Sequence, residues 1–164
     1  MLHIAPEQCF EERFRKMGNI EYITADLESP LAQYKCDIQD LPFRDNEFDM
    51  VMCNHVLEHV DNDHKAMSEI LRVMKPGAIA IILVPLDFSR DKTLEDPSIN
   101  TAAGRKKHYL QYDHQRLYGL DFPDRLKNAG FIISDPNFAD SIDHVKHRRY
   151  ALPERELMYA YRKT

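Results

Sequence analysis

The 164-residue sequence has no tryptophan, five glycines, three cysteines and no long apolar run. A membrane-spanning helix needs about 20 consecutive apolar residues. The longest run here, Ala78 to Pro85, fits a buried strand instead, so no membrane span is expected. Cys9, Cys36 and Cys53 form no close pair. Their odd number, behind an N-terminal MLHIAPEQCFEERFRK with no basic-then-apolar leader, fits reduced thiols in a cytoplasmic protein rather than a disulfide framework. A basic surplus is missing too. The formal charge of -5 argues against a general nucleic-acid surface, and the two basic runs, 105–107 and 146–149, read as solvated faces. The few glycines form no Gly-x-Gly-x-x-Gly fingerprint, which disfavours a dinucleotide oxidoreductase.

With 43% hydrophobic and 30% charged residues, the chain reads as one globular domain over 1–164. MLHIA (1–5), IEYITAD (20–26), YKCDI (34–38), FDMVMCN (48–54) and AIAIILVP (78–85) read as strands. FDMVMCN is apolar on both faces, as a central parallel strand should be. Helices are expected over 7–17, with Phe10, Phe14 and Met17 on one face, and over 63–74, stopped by Lys75-Pro76-Gly77. This alternation indicates βαβ units. Residues 86–112 have no clear apolar period and read as a long lid or acceptor loop. A helix over 113–128, interrupted near Pro123, and late strands over 131–138 and 156–163 complete the expectation.

The stretch CNHVLEHV places His55, Glu58 and His59 in the order His-x-x-Glu-His, the inverted zinc-protease pattern. That chemistry needs both histidines on one long helix and a third ligand from a neighbouring element. Asp61-Asn62-Asp63 cuts such a helix short, and no metal is expected.

Residues 36–85 place an acidic residue before Leu-Pro-Phe, then a Phe-Asp strand, Leu-Glu-His, Leu-Arg-Val-Met-Lys-Pro-Gly and an apolar strand. In this the chain resembles the class I S-adenosylmethionine-dependent methyltransferases, especially the type 11 group. The resemblance implies an α/β, Rossmann-like, doubly wound, mostly parallel sheet of order 3-2-1-4-5-7-6 with the last strand antiparallel. It implies S-adenosylmethionine as cofactor, S-adenosylhomocysteine as product and a small-molecule acceptor, here expected to be small and polar. Leu-Glu-His then becomes a packing and capping element beside the cofactor cleft.

Ligands of such sheets lie beyond the carboxyl ends of the strands. His3, Ala5, Pro6, Glu7, Asp26, Leu27, Asp37, Ile38 and Asn54 are therefore the cofactor-binding candidates. Asp26 stands about 20 residues after Glu7, the interval that brings a carboxylate to ribose hydroxyls, with a turn or helix-cap role as its alternative. By resemblance, Asp37 accepts from the adenine amino group and the Ile38 N–H donates to the ring, with Asp40 as the competing acid. The first loop departs from the family pattern. Where relatives have an acid and Gly-x-Gly, this chain has His3 and Ala5-Pro6-Glu7, which adds a Cβ and removes an N–H. Glu7 is then the candidate for the methionine amino group. A non-catalytic binding or regulatory protein with a degraded cofactor loop is the alternative reading.

His55, directly after the fourth strand, is the candidate base, with a cleft-lining residue that does no chemistry as the alternative. His108, Tyr112, His114, Arg116 and Tyr118 are acceptor-side candidates, with Arg116 suited to an anionic group and His114 and Tyr118 sharing a helix face. The usual helix before the first strand is missing from this sequence. The expectation drawn from that is a homodimer or other partner on the open sheet face, or a chain that is part of a longer protein.

Overall fold

The structure, a computed structural model, describes residues 1–135, 143, 146, 149 and 160–163. The late strands expected over 131–138 and 156–163 and the basic run 146–149 lie partly outside the described residues. Seven strands form one sheet: β1 (Leu2–Ile4), β2 (Ile23–Asp26), β3 (Tyr34–Lys35), β4 (Phe48–Asn54), β5 (Met74–Leu83), β6 (Ile132–Asp135) and β7 (Ala160–Arg162). Their order is β3-β2-β1-β4-β5-β7-β6. The first five pair in parallel, and β7 runs antiparallel between β5 and β6. This is the Rossmann-like order the resemblance implies. No helix among the described residues is long and apolar enough to cross a membrane.

Among the described residues the named helices are α1 (Gln8–Arg15), α2 (Asp63–Val73), α3 (Ala102–Tyr109) and α4 (Phe122–Asn128). β4 is buried from Val51 to Asn54 because both of its faces are covered, which is why its sequence does not alternate. α2 packs into the same core, with its Ala66, Met67, Ile70 and Val73 fully buried at helical spacing. The side chain of Asn62 caps α2 by accepting from Lys65 N at 2.9 Å. The chain passes directly from Val73 into β5 at Met74, and a register shift opposite Phe48 and Met50 accommodates Lys75-Pro76-Gly77.

Two expectations are corrected. Residues 86–112 are not bare loop, since they contain α3, capped by Thr101 Oγ1 on Gly104 N at 3.1 Å. Only Tyr109 of α3 is buried, so its sequence shows no apolar stripe. The helix expected from 113 begins only at Phe122, with Pro123 in its first turn, a position proline tolerates. Residues 114–118 are not helical, and Leu117 and Tyr118 form isolated β-bridges with Leu94 and Leu86. Leu117 exchanges backbone hydrogen bonds with Leu94 at 2.9 and 3.0 Å, and Asp87 N donates to Tyr118 O at 2.8 Å. Arg116 and Tyr118, two residues apart, both reach the turn at 57–63, which a strand allows and a helix, rotating about 100° per residue, does not.

Candidate functional site

The strand order reverses between β1 and β4, and at that switch point the carboxyl ends of the strands diverge to leave a crevice. A cleft of about 250 Å³ opens there. Ala5, Asp26, Leu27, Asp37 and Ile38 line it, together with Gln39, Val56, His59 and Asp61. His3, Pro6, Glu7 and Asn54 do not line it, although all four sit in or beside β1 and β4.

Ala5 follows β1 with φ +51°, a left-handed conformation that favours glycine and that an alanine adopts at some cost. The backbone thus takes a glycine-type turn without a glycine, and Ala5 N is held by Ala25 O at 2.9 Å. Beyond it lies a chain of four polar groups. The Tyr22 hydroxyl is 2.7 Å from His3 Nδ1, His3 Nε2 contacts Glu7 Oε2, and Asn54 Nδ2 donates to Glu7 Oε1 at 2.9 Å. Burial lowers the His3 pKa, and the Glu7 carboxylate only partly opposes this, so the ring is neutral at pH 7. Burial, reinforced by the Glu11 carboxylate, pushes Tyr22 up to about 12, so its hydroxyl keeps its proton. A neutral ring between a hydroxyl and a carboxylate accepts from Tyr22 at Nδ1 and donates from Nε2 to Glu7. Asn54 Oδ1 is buried and has no hydrogen-bond partner, leaving an acceptor beside the Glu7 carboxylate. An acceptor and a carboxylate side by side suit a primary ammonium group.

Asp26 and Asp37 each divide their work. Asp26 Oδ1 accepts from Glu28 N and Ser29 N at 2.7 and 2.6 Å, and Asp37 Oδ1 accepts from Gln39 N at 2.8 Å. Each carboxylate therefore closes its own turn while also lining the cleft. Leu27, 65% exposed, offers an apolar wall next to Asp26. Asp40, the competing acid, is exposed and does not line the cleft.

His55 follows β4 with φ +53°, the second left-handed non-glycine at this end of the sheet. Its N–H donates to Leu83 O at 2.8 Å, and its Nδ1 lies 3.5 Å from Glu58 Oε1. Residues 55–61 form a turn rather than a helix, so His55 and His59 are not a helical pair.

The acceptor-side candidates separate into two groups. His108 and Tyr112 are exposed, whereas His114, Arg116 and Tyr118 are buried. Arg116 donates from Nε to Glu95, from Nη1 to Leu57 O and Val60 O, and from Nη2 to Asp61 O and Glu95, at 2.6 to 3.1 Å. A guanidinium has five N–H groups, and all five are engaged. The expectation that Arg116 grips an anionic acceptor is thereby corrected, because its donors hold the fold. Tyr118 donates to Asp63 Oδ2 at 2.9 Å, and since 114–118 is not helical, His114 and Tyr118 share no helix face. His59 and Gln39, which line the cleft, were not among the candidates. For His59 the sequence signal is the His-x-x-Glu-His spacing, which the family resemblance makes a packing and capping element.

Residues 2–82 match the family described as a methyltransferase domain. Demethylmenaquinone methyltransferase of Staphylococcus carnosus is 36% identical over 123 residues, which is 70% of this chain and 46% of that protein. The chain spans 24 to 59% of three further curated relatives. Among solved structures, the [4+2]-cyclase SpnF aligns over 99% of this chain and 74% of its own, with TM-score 0.65 and 19% identity. The 1,6-didemethyltoxoflavin-N1-methyltransferase of Burkholderia thailandensis, solved with S-adenosylhomocysteine, covers 99% of this chain and 71% of its own, with TM-score 0.60 and 16% identity.

Proposed function

Because residues 2–82 carry a methyltransferase domain of the class I, type 11-like group, we propose that this protein transfers a methyl group from S-adenosylmethionine to a small polar acceptor. The observation that carries the reading is the cleft at the β1/β4 switch point, with a left-handed Ala5 at its floor and carboxylates on its wall. When bound, S-adenosylmethionine supplies a methyl group on a sulfonium, ready for in-line displacement.

The chain's own residues then bind, orient and deprotonate. Asp26 keeps one carboxylate oxygen out of its turn hydrogen bonds and presents it to ribose hydroxyls. Asp37 and the Ile38 N–H hold the adenine edge, and Leu27 covers the ring. Glu7, kept in place by His3 and Asn54, receives the methionine ammonium together with Asn54 Oδ1. This ordered replacement for Gly-x-Gly argues against a degraded loop and hence against a non-catalytic role. His55 removes the acceptor's proton, with Glu58 next to its ring. His108 and Tyr112, exposed on and just after α3, bring the acceptor in within the segment 86–112. Relatives named for demethylmenaquinone and toxoflavin precursors differ widely in acceptor, so acceptor identity is not inherited from them.

Incubation with methyl-labelled cofactor and a fractionated small-molecule extract tests this reading. Label should move into a polar fraction with wild-type protein and stay in the cofactor with His55→Ala. Label that remains in the cofactor with wild-type protein across all fractions would contradict methyl transfer.

A further inference from the structure

A second cluster borders the cleft. Glu58, His59 and His114 each bring one potential ligand atom within 4.8 Å of the other two. Glu58 and His59 come from the turn after β4 and His114 from the loop between α3 and α4. The two pieces are fixed to each other by Gln115 N donating to Glu58 O at 2.7 Å and by the Arg116 bonds described above.

Each histidine has a polar group beside its Nδ1. His114 Nδ1 lies 3.0 Å from Tyr109 O, and His59 Nδ1 lies 3.2 Å from Asp113 Oδ2. The Tyr109 carbonyl only accepts, so His114 Nδ1 carries the proton and its Nε2 keeps its lone pair. An outer hydrogen bond from a ring N–H to a backbone carbonyl is the kind that fixes the tautomer of metal-bound histidines, and the Asp113 carboxylate stands beside the His59 ring. The rings meet edge to face with centroids 4.7 Å apart. Independently, Glu58 is 1% exposed and its Oε2 has no hydrogen-bond partner. A buried carboxylate oxygen in that state is costly unless a cation compensates it.

We propose that Glu58, His59 and His114 form a binding site for a divalent cation of the zinc class. Two imidazole nitrogens and one carboxylate oxygen suit zinc, and three protein ligands leave a tetrahedral ion one position for water or an oxygen ligand. Bonds of about 2.0–2.2 Å need ligand atoms roughly 3.4 Å apart, so the side chains draw together on binding. His59 also lines the cleft, which sets the ion between the cleft and the acceptor-side segment. The set differs from the His-x-x-Glu-His reading: no helix is involved, and His114 supplies the ligand that His55 does not. The proposal does not depend on methyl transfer.

The test is zinc titration of the chelator-treated full chain by calorimetry, with metal content measured after dialysis. Wild type should retain about one zinc per chain, bind it at micromolar or tighter Kd, and melt at a higher temperature when loaded. His114→Ala and Glu58→Gln should each weaken binding at least tenfold. Because both positions are buried, the partly exposed His59→Ala, shown to be folded by circular dichroism, provides the decisive variant and should also lose at least tenfold. Wild-type binding weaker than about 0.1 mM, or His59→Ala binding as tightly as wild type, would overturn the site.

Discussion

Ala5 and His55 hold left-handed backbone at the ends of neighbouring strands, where the turn geometry is kept although the residue is not glycine. Such strain survives where surrounding structure enforces it, and it collects at ligand-binding ends of sheets. Ala5→Gly should therefore raise unfolding free energy by about 0.5 kcal/mol, since relief of roughly 1 kcal/mol of left-handed strain exceeds the added chain entropy of glycine. Denaturant unfolding measures this, and a net loss would show that Ala5 is not strained. At Asp26 the carboxylate closes a turn as well as lining the cleft, so the informative change keeps the acceptor oxygen and removes the charge. Asp26→Asn should leave the melting temperature within about a degree and weaken S-adenosylhomocysteine roughly tenfold, the worth of a charged hydrogen bond. Unaltered affinity would confine Asp26 to its turn. The position of Asp26 was legible from the spacing of strand ends. Its double duty was not, because both roles call for the same residue type at the same place.

The element that misled the sequence reading is 113–121. A helix starting at 113 is expected, yet Leu117 and Tyr118 sit in β-bridges and the helix begins only at Phe122. What overrides that expectation is Arg116, whose five donors gather the carbonyls of Leu57, Val60 and Asp61 and the Glu95 carboxylate. No local sequence signal reports a contact made nearly 60 residues away. Arg116→Lys, with three donors on a point charge, cannot rebuild this fork. It should cost about 3 kcal/mol or more in urea unfolding, since several buried carbonyls are left unpaired at about 1–3 kcal/mol each. A loss under about 1 kcal/mol would mean that the fork is dispensable. By contrast β4 and α2 were legible almost to the residue, because a continuous apolar run and a 3.6-residue stripe each answer to a single covering surface.

At the scale of the whole molecule, strand order followed from the resemblance and from alternating elements, while the coupling between the two halves of the chain did not. Asp63, in the first turn of α2, is the junction: Arg125 of α4 pairs with it at 2.7 Å and Tyr118 donates to it at 2.9 Å. Burial alone would raise its pKa, but Arg116, Arg125 and the Tyr118 hydrogen bond together outweigh burial and hold it below the ordinary carboxylate value. The folded state therefore binds this proton less readily than the unfolded chain does. Its stabilisation is complete above the unfolded carboxyl pKa of about 4 and is lost as pH falls through the lower folded value. Asp63→Asn should be less stable by about 3 kcal/mol at pH 7, because buried Arg116 and half-buried Arg125 lose one of their two carboxylate partners, and the gap should narrow as pH drops below about 4. A gap that stays constant with pH would remove Asp63 from the acid response.

The central claim is that an Ala-Pro-Glu turn, braced by His3 and Asn54, replaces the glycine loop in a working cofactor cleft. Isothermal titration calorimetry with S-adenosylmethionine and, separately, S-adenosylhomocysteine tests it most directly. The account predicts one site per chain with Kd on the order of micromolar for both ligands. A folded sample that binds neither at millimolar concentration would contradict it.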